Sequence, residues 1–590
     1  MPPTCASANF IVTLRVNLPL TNIVINMYDY QNPIIPNFLL SVAGGIEMAK
    51  LNHASRHPRK TQAATLRRIL NYAKDTVYGK EHHFADILAA KNDDELFQLY
   101  QTHVPANDYE DLRPYVERHK HGEKNILFPG KPFMYATTSG TTNEPKWVPV
   151  TNEYFKDVFG NMTKLWMYSF IRCRPRVFTG VCVSIVGKVI EGYAPDGTLY
   201  GSVSGVTQKN VPAFLKHLYA SPHEIYHISD YNARYYALMR MGIERNVSLI
   251  ITANASTIVE LENNANLYYD EYVKDIENGT LSDKFNFEPE ARAAIEKCLK
   301  PNPKRAQHLR ELKKKYDRVL PKHYWPNMQV LTTWKCGNTK IYVDKLAGSF
   351  PEHTMHKEFG YFASECRFGL TLDGTDNTVL FPHYHYYEFI AEEDLGKDNP
   401  QYLQLDELQE GKRYCPYVTT LAGLYRYNMN DLVEVGPFHR RTPTVHMIQK
   451  VNGIVTITGE KLHERQFIDA VHRAEADTGL KLHFFVGFAV VEESRYHFYY
   501  EFIDQKVTQE QAEQFNKVVN KYLREENIEY EQKQVSLRLK DPVAHRLVAD
   551  SYERFKQRSI EEGFRDGQFK INLLMQDEKR HAKFKDLVTR

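Results

Sequence analysis

A hydroxyl-rich segment early in the chain has the composition of a loop that binds phosphate. Between two strand-like runs, residues 133–136 and 147–150, the sequence of residues 137–146 reads TTSGTTNEPK. Such a turn offers backbone N–H groups and hydroxyls to an anion, Gly140 lets the backbone approach closely, and Lys146 adds positive charge. The segment predicts a triphosphate site, although an ordinary surface turn that bonds to its own backbone has the same composition.

This segment does not have the pattern of a Walker-type P-loop. The nearby Gly130 and Lys131 are followed by Pro132, where that motif requires Ser or Thr. The spacing therefore disfavours kinase and GTPase chemistry.

Two later segments also carry residue types that suit a nucleotide. Residues 361–365 read YFASE, in which Tyr361 offers an aromatic face to a base and Glu365 offers a carboxylate to a hard cation. Residues 424–431 read LYRYNMND, in which the carboxylate of Asp431 is a strong acceptor for a vicinal diol. Taken alone, the first segment fits a strand end with a buried tyrosine and a paired glutamate better than a nucleotide site, and the second also fits a surface turn.

In this order, the three segments resemble the motifs of the adenylate-forming superfamily. They resemble its phosphate loop, its Y-G-x-T-E element and its Y-R-x-G-D element, with Asn143, Phe362 and Asn430 where small residues are usual. The resemblance implies that ATP is bound by Thr138, Ser139, Gly140, Thr141, Thr142, Tyr361, Ser364 and Asp431.

The resemblance also implies a role for several of these residues. Tyr361 is expected to lie against the adenine ring, and Asp431 to accept hydrogen bonds from the ribose hydroxyls. Glu365 is expected to help hold Mg²⁺, and Lys146 to stabilise charge on the phosphates during catalysis. The expected cofactors are therefore ATP and Mg²⁺.

Within the superfamily, the sequence is most similar to the acyl-acid amido synthetases, whose best-known members are the plant auxin-responsive and jasmonate-conjugating enzymes. The similarity is carried by ASECRFGL at 363–370, YYEF at 386–389, TTLAGLYRY at 419–427 and DIENGTL at 275–281. It extends over roughly residues 61 to 575. Residues 567–570 (GQFK) resemble the family's Q-Y-K-T-P element, which makes Lys570 a second candidate catalytic residue, brought in by closure of the small domain.

The family's reaction is the expected function. A carboxylic acid is adenylated by ATP with release of pyrophosphate, and the amine of an amino acid then takes the acyl group and releases AMP. An acyl-CoA ligase of the same superfamily and a catalytically silent nucleotide-binding protein are the alternatives. A metal hydrolase is a further alternative, suggested by His353 with His356 and by His383 with His385, but neither pair has the H-E-x-x-H arrangement.

At 590 residues the chain is too long for one hydrophobic core, so at least two domains are expected. Strand-like runs at 178–186, 247–251 and 330–333 alternate with helical patterns, which predicts an α/β fold. The expected architecture is a large, multi-layer N-terminal domain with mixed sheets and a smaller, mobile α+β lid domain. The predicted limits are an extension at 1–60, the large domain at 61–440, a hinge at 441–460 and the lid at 461–590.

Two helices can be placed by their end signals. One is predicted to begin at Thr61 as its cap, with an apolar face formed by Leu66, Ile69, Leu70 and Ala73. In the C-terminal part, two strands at 482–491 and 496–503 precede a helix that Thr508 and Gln511 open as a capping box.

Composition limits the partners and the compartment. The 75 Lys and Arg against 73 Asp and Glu give a net charge of +2, which provides no field that favours nucleic acid. The seven cysteines lack any C-x-x-C spacing, which predicts a reducing, cytoplasmic location. The apolar run from Phe10 to Val24 contains Arg15 and Asn17, so no membrane partner is expected. The expected partners are small-molecule acids and amino acids, and the oligomeric state is not predicted.

Overall fold

The structure is a computed structural model that describes residues 31–138, 146–335, 340–397, 399–451, 454–455, 457, 460, 462–535, 539–561 and 572–589. The helices before the first strand are α1 (Ile34–Arg56), α2 (Pro58–Ala73), α3 (Val77–Glu81), α4 (Phe84–Leu88), α5 (Asp93–His103) and α6 (Tyr109–Lys120).

Helix α2 contains the apolar face predicted from the sequence but begins earlier than expected. Pro58 is its first residue, because proline has the φ that a helix needs and lacks an N–H that would go unbonded there. The prediction that Thr61 caps the helix was wrong, since its hydroxyl instead donates to the Ala54 carbonyl at 3.1 Å. The predicted apolar face is confirmed as buried: Leu66, Ile69, Leu70 and Ala73.

Eight strands follow in the next part of the chain and form two sheets. The strands are β1 (Met134–Thr138), β2 (Lys146–Val150), β3 (Val181–Ile185), β4 (Gly192–Tyr193), β5 (Leu199–Gly201), β6 (Val247–Thr252), β7 (Val330–Thr333) and β8 (Met355–Glu358). The first sheet has the order β2-β1-β5-β4 and the second β3-β6-β7-β8. The second sheet is entirely parallel, and β6 is buried along its whole length, as expected for a sheet with helices on both faces.

The helices of this part are α7 (Asn152–Tyr154), α8 (Asn161–Cys173), α9 (Val203–Lys209), α10 (Tyr231–Glu244), α11 (Ala255–Leu267), α12 (Tyr269–Asn278), α13 (Pro289–Glu296), α14 (Pro303–Lys315), α15 (Pro321–Tyr324) and α16 (Lys340–Lys345). A short π-helix, Phe155–Gly160, connects α7 to α8. The three strand-like runs predicted from the sequence are confirmed as β3, β6 and β7.

Helix α1 packs on α8 along one side and exposes apolar residues on the other. At the crossing point Gly44 is buried, and a side chain there would overlap Tyr168. The opposite side exposes Ile34, Ile35, Phe38, Leu39, Val42 and Ile46. By length and composition, α1 is a helix that could cross a membrane, with 22% of its most apolar window buried in the protein.

The largest sheet comes next and contains β9 (Gly369–Thr371), β10 (Thr378–Leu380), β11 (Tyr386–Ala391), β12 (Leu403–Gln404), β13 (Arg413–Thr419), β14 (Tyr427–Asn428), β15 (Asp431–His439) and β16 (Thr442–Lys450). The order is β12-β11-β13-β15-β16-β10-β9, and β14 pairs with β13. Its paired neighbours are antiparallel. Strand β16 belongs to this sheet although it starts inside the predicted hinge.

The C-terminal part contains β17 (Ile454–Val455), β18 (Leu462–His463), β19 (Leu482–Val490), β20 (Arg495–Phe502), β21 (Val543–Arg546) and β22 (Leu574–Met575). Its helices are α17 (Glu464–Thr478), α18 (Gln509–Glu526), α19 (Ile528–Val535), α20 (Ser551–Glu561) and α21 (Glu578–Lys585). Four of these strands form a sheet in the order β21-β20-β19-β22. The predicted capping box of α18 is confirmed: Thr508 accepts from the Gln511 N–H, and Gln511 accepts from the Thr508 N–H.

Separate groups of buried apolar side chains lie in the two parts of the molecule. One extends from the N-terminal helices to the largest sheet, a second surrounds the parallel sheet, and a third lies between β19, β20 and the C-terminal helices. The two parts touch where α16 meets the start of α20, with the rings of Tyr342 and Tyr552 6.1 Å apart. The mixed α/β architecture predicted from the sequence is confirmed, and the predicted domain limits stay a prediction.

Candidate active site

The two strands that flank the predicted phosphate loop form a hairpin. Thr138 at the end of β1 pairs with Lys146 at the start of β2, so the two strand-like runs expected from the sequence are confirmed as an antiparallel pair. Four of the predicted ATP contacts lie outside the described residues: Ser139, Gly140, Thr141 and Thr142. The hairpin nevertheless fixes where the two ends of this loop are.

Lys146 lies beside the start of helix α6. Its Nζ atom is 5.8 Å from the centre of the Tyr109 ring, close enough for a cation–π contact. Tyr109 is anchored in turn to β2, because its hydroxyl accepts from the Trp147 N–H at 2.6 Å. The positive charge of Lys146 also lowers the pKa of the neighbouring Glu110, after the larger effect of the Arg113 hydrogen bond. The lysine is thus held at the edge of the hairpin by an aromatic ring.

Tyr361 and Asp431, which are 70 residues apart in sequence, form a direct contact. The Tyr361 hydroxyl donates to Oδ2 of Asp431 at 2.5 Å, and both residues are buried. Burial raises the pKa of Tyr361, and the negative charge of Asp431 raises it further. The other side of the tyrosine is occupied too, because its ring stacks on Phe368 with centroids 4.2 Å apart. These contacts fix both side chains before any nucleotide binds, and their predicted roles toward adenine and ribose stay predictions.

The turn before Asp431 has the backbone conformation that the superfamily's usual glycine would adopt. Asn430 has φ of 53°, in the left-handed region that asparagine tolerates better than most residues. Its N–H donates to the side chain of Asn428 at 2.8 Å. The asparagine therefore reproduces the turn geometry at this position.

Ser364 and Glu365 lie at the tip of a tight hairpin. Phe362 pairs with Arg367 across it, and the Ala363 N–H donates to the Cys366 carbonyl at 2.9 Å. Both tip residues are half-buried. Among the described residues, no lysine, arginine or histidine pairs with the carboxylate of Glu365, which suits a group that is to hold a cation.

Tyr427 connects these segments and was not singled out by sequence reasoning. Burial raises the pKa of its phenol, and the nearby charge of Glu365 is the next cause, followed by Tyr109, Asp108 and Asp431. The phenol therefore lies near the residues that were predicted separately to bind the metal and the ribose, Glu365 and Asp431. The signal that could have identified it is its place in the segment LYRYNMND at 424–431, four residues before Asp431.

Arg426 of the same element has a structural role that the sequence did not reveal. Its guanidinium pairs with Glu388 at 2.9 Å, with side chains only 4% and 1% exposed. It also donates to the carbonyls of Gln101 and Val104, at 3.2 and 2.8 Å. Arg426 thus ties the end of helix α5 to the largest sheet beside β14.

Of the paired histidines of the hydrolase alternative, His385 is buried, His356 and His383 are half-buried and His353 is exposed. Burial lowers the pKa of His356 to about 4 and those of His383 and His385 to about 3. Neither pair belongs to a set of described side chains close enough to share a metal ion. The set that meets this condition is in the C-terminal part and consists of His483, Glu501 and Glu553.

The C-terminal part carries one predicted site residue, Lys570, and one buried carboxylate that anchors the chain, Glu460. Lys570 lies outside the described residues, so its predicted catalytic role stays a prediction. In the segment GEKL at 459–462, Glu460 is buried and accepts hydrogen bonds from the Tyr496 hydroxyl at 2.7 Å and the Ile457 N–H at 2.9 Å. Glu460 therefore anchors the chain to β20 as it enters the C-terminal part.

Three family models match consecutive parts of the chain. The GH3 family N-terminal domain matches residues 47–355, the GH3 family central domain residues 378–450, and the GH3 family C-terminal domain residues 465–579. An indole-3-acetic acid-amido synthetase GH3.10 from Arabidopsis thaliana is 25% identical over 459 residues, which are 72% of this chain and 76% of that protein. A jasmonoyl–L-amino acid synthetase JAR4 from Nicotiana attenuata is 28% identical over 441 residues, 70% of this chain and 73% of that protein.

Solved structures confirm the predicted fold. An acyl acid amido synthetase, AtGH3.15, in complex with 2,4-DB superposes with a TM-score of 0.79 at 20% identity, covering 93% of this chain and 96% of that one. A 2-hydroxyisobutyryl-CoA ligase in the postadenylation state with 2-HIB-AMP gives a TM-score of 0.51 at 12% identity, covering 89% and 91%. The adenylate-forming fold expected from the sequence is therefore confirmed.

Proposed function

The chain belongs to the GH3 family, and from this membership we propose that it is an ATP-dependent acyl-acid amido synthetase. It activates a carboxylic acid as an acyl-adenylate and transfers the acyl group to the amine of an amino acid. Its relatives are named for amido synthesis on indole-3-acetic acid and jasmonic acid, which supports this reaction class. The acid and the amino acid that this chain uses are not specified by those names.

One structural observation carries the proposal. Lys146, Glu365 and Asp431 come from three distant segments and lie near two tyrosines: Lys146 contacts the Tyr109 ring, and the charges of Glu365 and Asp431 both act on the Tyr427 phenol. A cation, a carboxylate without a cationic partner among the described residues and a carboxylate held by Tyr361 suit the phosphates, a metal ion and the ribose of one nucleotide.

In the first half-reaction, an oxygen of the substrate carboxylate attacks the α-phosphorus of ATP, and the bond to pyrophosphate breaks. Lys146 neutralises charge on the phosphates, and Asp431 orients the ribose so that the two anions meet in line. In the second, the amine nitrogen attacks the acyl carbon, AMP leaves with the bonding electrons, and the amine loses a proton to solvent or a base.

We include Mg²⁺ in the proposal, with Glu365 as the residue that would hold it. The ion, when bound, would offset negative charge on the phosphate oxygens. The support is the half-buried carboxylate of Glu365, which has no cationic partner among the described side chains. We also propose a cytoplasmic location, supported by the free cysteines of the described part, and imaging of the tagged chain tests it.

The test is an acid-dependent exchange of labelled pyrophosphate into ATP by the purified protein, run with Mg²⁺ or with a chelator. Aryl and alkyl acids are supplied first, and amino acids or coenzyme A are then compared as acceptors by AMP release. Exchange that needs both an acid and Mg²⁺, with amino acids as the better acceptors, supports the proposal. Better turnover with coenzyme A identifies the ligase alternative, and ATP binding without exchange identifies a silent nucleotide-binding protein.

Replacing Asp431 tests the proposed ribose contact. Asp431→Asn keeps an acceptor for the Tyr361 hydroxyl but removes the charge, so the KM for ATP is expected to rise roughly 10- to 100-fold. Asp86→Asn, at an exposed position in α4, is the matched control and should leave the KM unchanged. An unchanged KM in a folded Asp431→Asn protein would remove this residue from the site.

A further inference from the structure

Arg367 is a guanidinium enclosed by aromatic rings next to the candidate active site. It closes the hairpin whose tip carries Glu365, only two residues away. Its guanidinium carbon is 4.1 Å from the centre of the Phe159 ring and 5.1 Å from that of Phe362. The guanidinium of Arg367 therefore lies against two rings that offer no hydrogen-bond acceptor.

The polar contacts of Arg367 are sparse for a side chain in such surroundings. Among the described residues, one of its five N–H donors reaches an acceptor, Oγ1 of Thr163, at a long 3.4 Å. Within the described part of the chain no carboxylate pairs with it, whereas Arg240 pairs with Glu244 and Arg426 with Glu388. Burial lowers the pKa of Arg367 to about 9, which reflects the cost of keeping an uncompensated charge away from water.

Further rings continue from Arg367 and form an apolar wall. Phe362 contacts Phe359 with centroids 5.1 Å apart, and Phe359 contacts Trp166 at 4.7 Å and Trp334 at 5.8 Å. Phe359, Phe362 and Trp334 are half-buried rather than sealed in the core, so parts of their surfaces remain accessible. Phe159 belongs to the π-helix Phe155–Gly160, a type of helix that occurs frequently at functional sites.

We propose that Arg367 binds the carboxylate of the acid substrate and that the rings around it select an acid with a flat, apolar body. A guanidinium presents parallel N–H groups that match a carboxylate, and an incoming anion supplies the partner that the described chain does not. The positive charge also reduces the repulsion between the substrate carboxylate and the ATP phosphates. The apolar ring of an aryl acid then contacts Phe362, Phe359 and Trp166, which a small hydroxy acid or a sugar acid could not do as well.

This inference rests on the proposed function, and a binding experiment without ATP separates the two. The full-length protein is titrated with benzoate, cinnamate and indole-3-acetate, and with the corresponding neutral amides, while the fluorescence of Trp166 and Trp334 is followed. At least one acid is expected to bind and its amide to bind at least about tenfold more weakly, since the amide lacks the charge. Acid binding without turnover would contradict the proposed function but not this inference. Equal binding of acids and amides would contradict this inference but not the proposed function.

Variants of Arg367 then identify the residue responsible. Arg367→Met should raise the dissociation constant and the KM for the acid at least about tenfold, leave the KM for ATP unchanged and abolish the preference for acid over amide. Arg367→Lys should restore part of the affinity, because the charge is kept but the paired donors are lost. Arg172→Met, an exposed arginine on α8, is the control and should behave like the parent.

Two other outcomes overturn the inference. A rise in the KM for ATP with an unchanged KM for the acid would assign Arg367 to the nucleotide phosphates. A lower melting temperature with both KM values unchanged would mean that Arg367 serves only as a packing partner of Phe159 and Phe362.

Discussion

Arginine–carboxylate pairs occur in the largest sheet and on the C-terminal part, but in opposite environments. The side chains of Arg426 and Glu388 are 4% and 1% exposed, whereas those of Arg473 and Glu525 are both 44% exposed. In the sheet, each partner compensates a charge that water cannot reach. On the C-terminal surface, water and salt compensate each charge already, so the pairing adds little. The same type of contact is therefore essential in one region and dispensable in the other.

The difference in exposure between these ion pairs indicates how the largest sheet and the C-terminal part contribute to function. The buried set around Arg426 lies beside β14 and supports the segment that leads to Asp431. Its geometry is set when the sheet folds, which is what a site that must orient a nucleotide requires. The ion pairs on the surface of the C-terminal part are open to solvent, and we expect them to tolerate substitution, whereas a histidine cluster at β20 and β21 should respond to pH.

The largest effect is expected from breaking the buried pair. Arg426→Met leaves Glu388 as an uncompensated buried charge, so the free energy of unfolding should fall by about 3–5 kcal/mol. Urea denaturation followed by tryptophan fluorescence measures this region, since all four tryptophans lie between residues 147 and 334. The double variant Arg426→Met with Glu388→Leu should recover part of the loss. A loss below about 1 kcal/mol in the single variant would contradict the proposed difference between the two environments.

A smaller, pH-dependent effect is expected from a histidine cluster in the C-terminal part. His497 contacts His545 at 2.9 Å and Glu493 at 3.0 Å, and His581 contacts the Tyr499 hydroxyl at 2.9 Å. Burial is the main cause that lowers the pKa of His545 and of His581 to about 4, with nearby positive groups adding to it. The unfolded chain takes up protons near the ordinary pKa of about 6.5. Stability is therefore fully present above pH of about 6.5 and is lost as the pH falls toward 4.

The size of this effect is limited because the His545 ring is only half-buried and solvent screens its charge. We expect the free energy of unfolding to fall by roughly 1 kcal/mol per pH unit for His545 and His581 together. The upper limit is about 1.4 kcal/mol per pH unit for each ring that takes up a proton. Hydrogen exchange of β19 and β20, corrected for the intrinsic effect of pH, measures it. His545→Gln with His581→Gln should flatten the dependence, and His217→Gln, at an exposed position, should not. An identical slope in the double variant would place the titrating groups elsewhere.

Features encoded in short stretches of sequence could be predicted. The hairpin around the phosphate loop, strands β3, β6 and β7 and the capping box of α18 depend on neighbouring residues and were confirmed. The start of α2 was missed because the tendency of a proline to occupy the first helical position outweighed the capping tendency of Thr61. Family resemblance supplied the candidate site residues, which no local pattern could have connected.

Contacts between distant segments could not be predicted. The partner of Tyr361 lies 70 residues away and that of Arg426 lies 38 residues away, so neither pairing leaves a local pattern. The surroundings of Arg367 include Phe159 of the π-helix Phe155–Gly160 and Thr163 of α8, which is 204 residues away in sequence. Packing of the sheets decides these contacts, and a single sequence without related sequences does not contain that information.

The smallest effect is expected on the C-terminal surface. Arg473 on α17 pairs with Glu525 at 2.9 Å and Glu526 at 3.0 Å on α18, and its guanidinium lies over the Tyr522 ring. Arg473→Met removes both exposed ion pairs and the guanidinium over that ring but keeps an apolar side chain at this position, so hydrogen exchange of α17 and α18 should match the parent. Raising the salt concentration should likewise leave the exchange of the parent unchanged, because exposed pairs are already screened. Faster exchange of both helices in Arg473→Met would contradict this comparison. It would show that the exposed ion pairs of Arg473 stabilise the fold as the buried pair of Arg426 does.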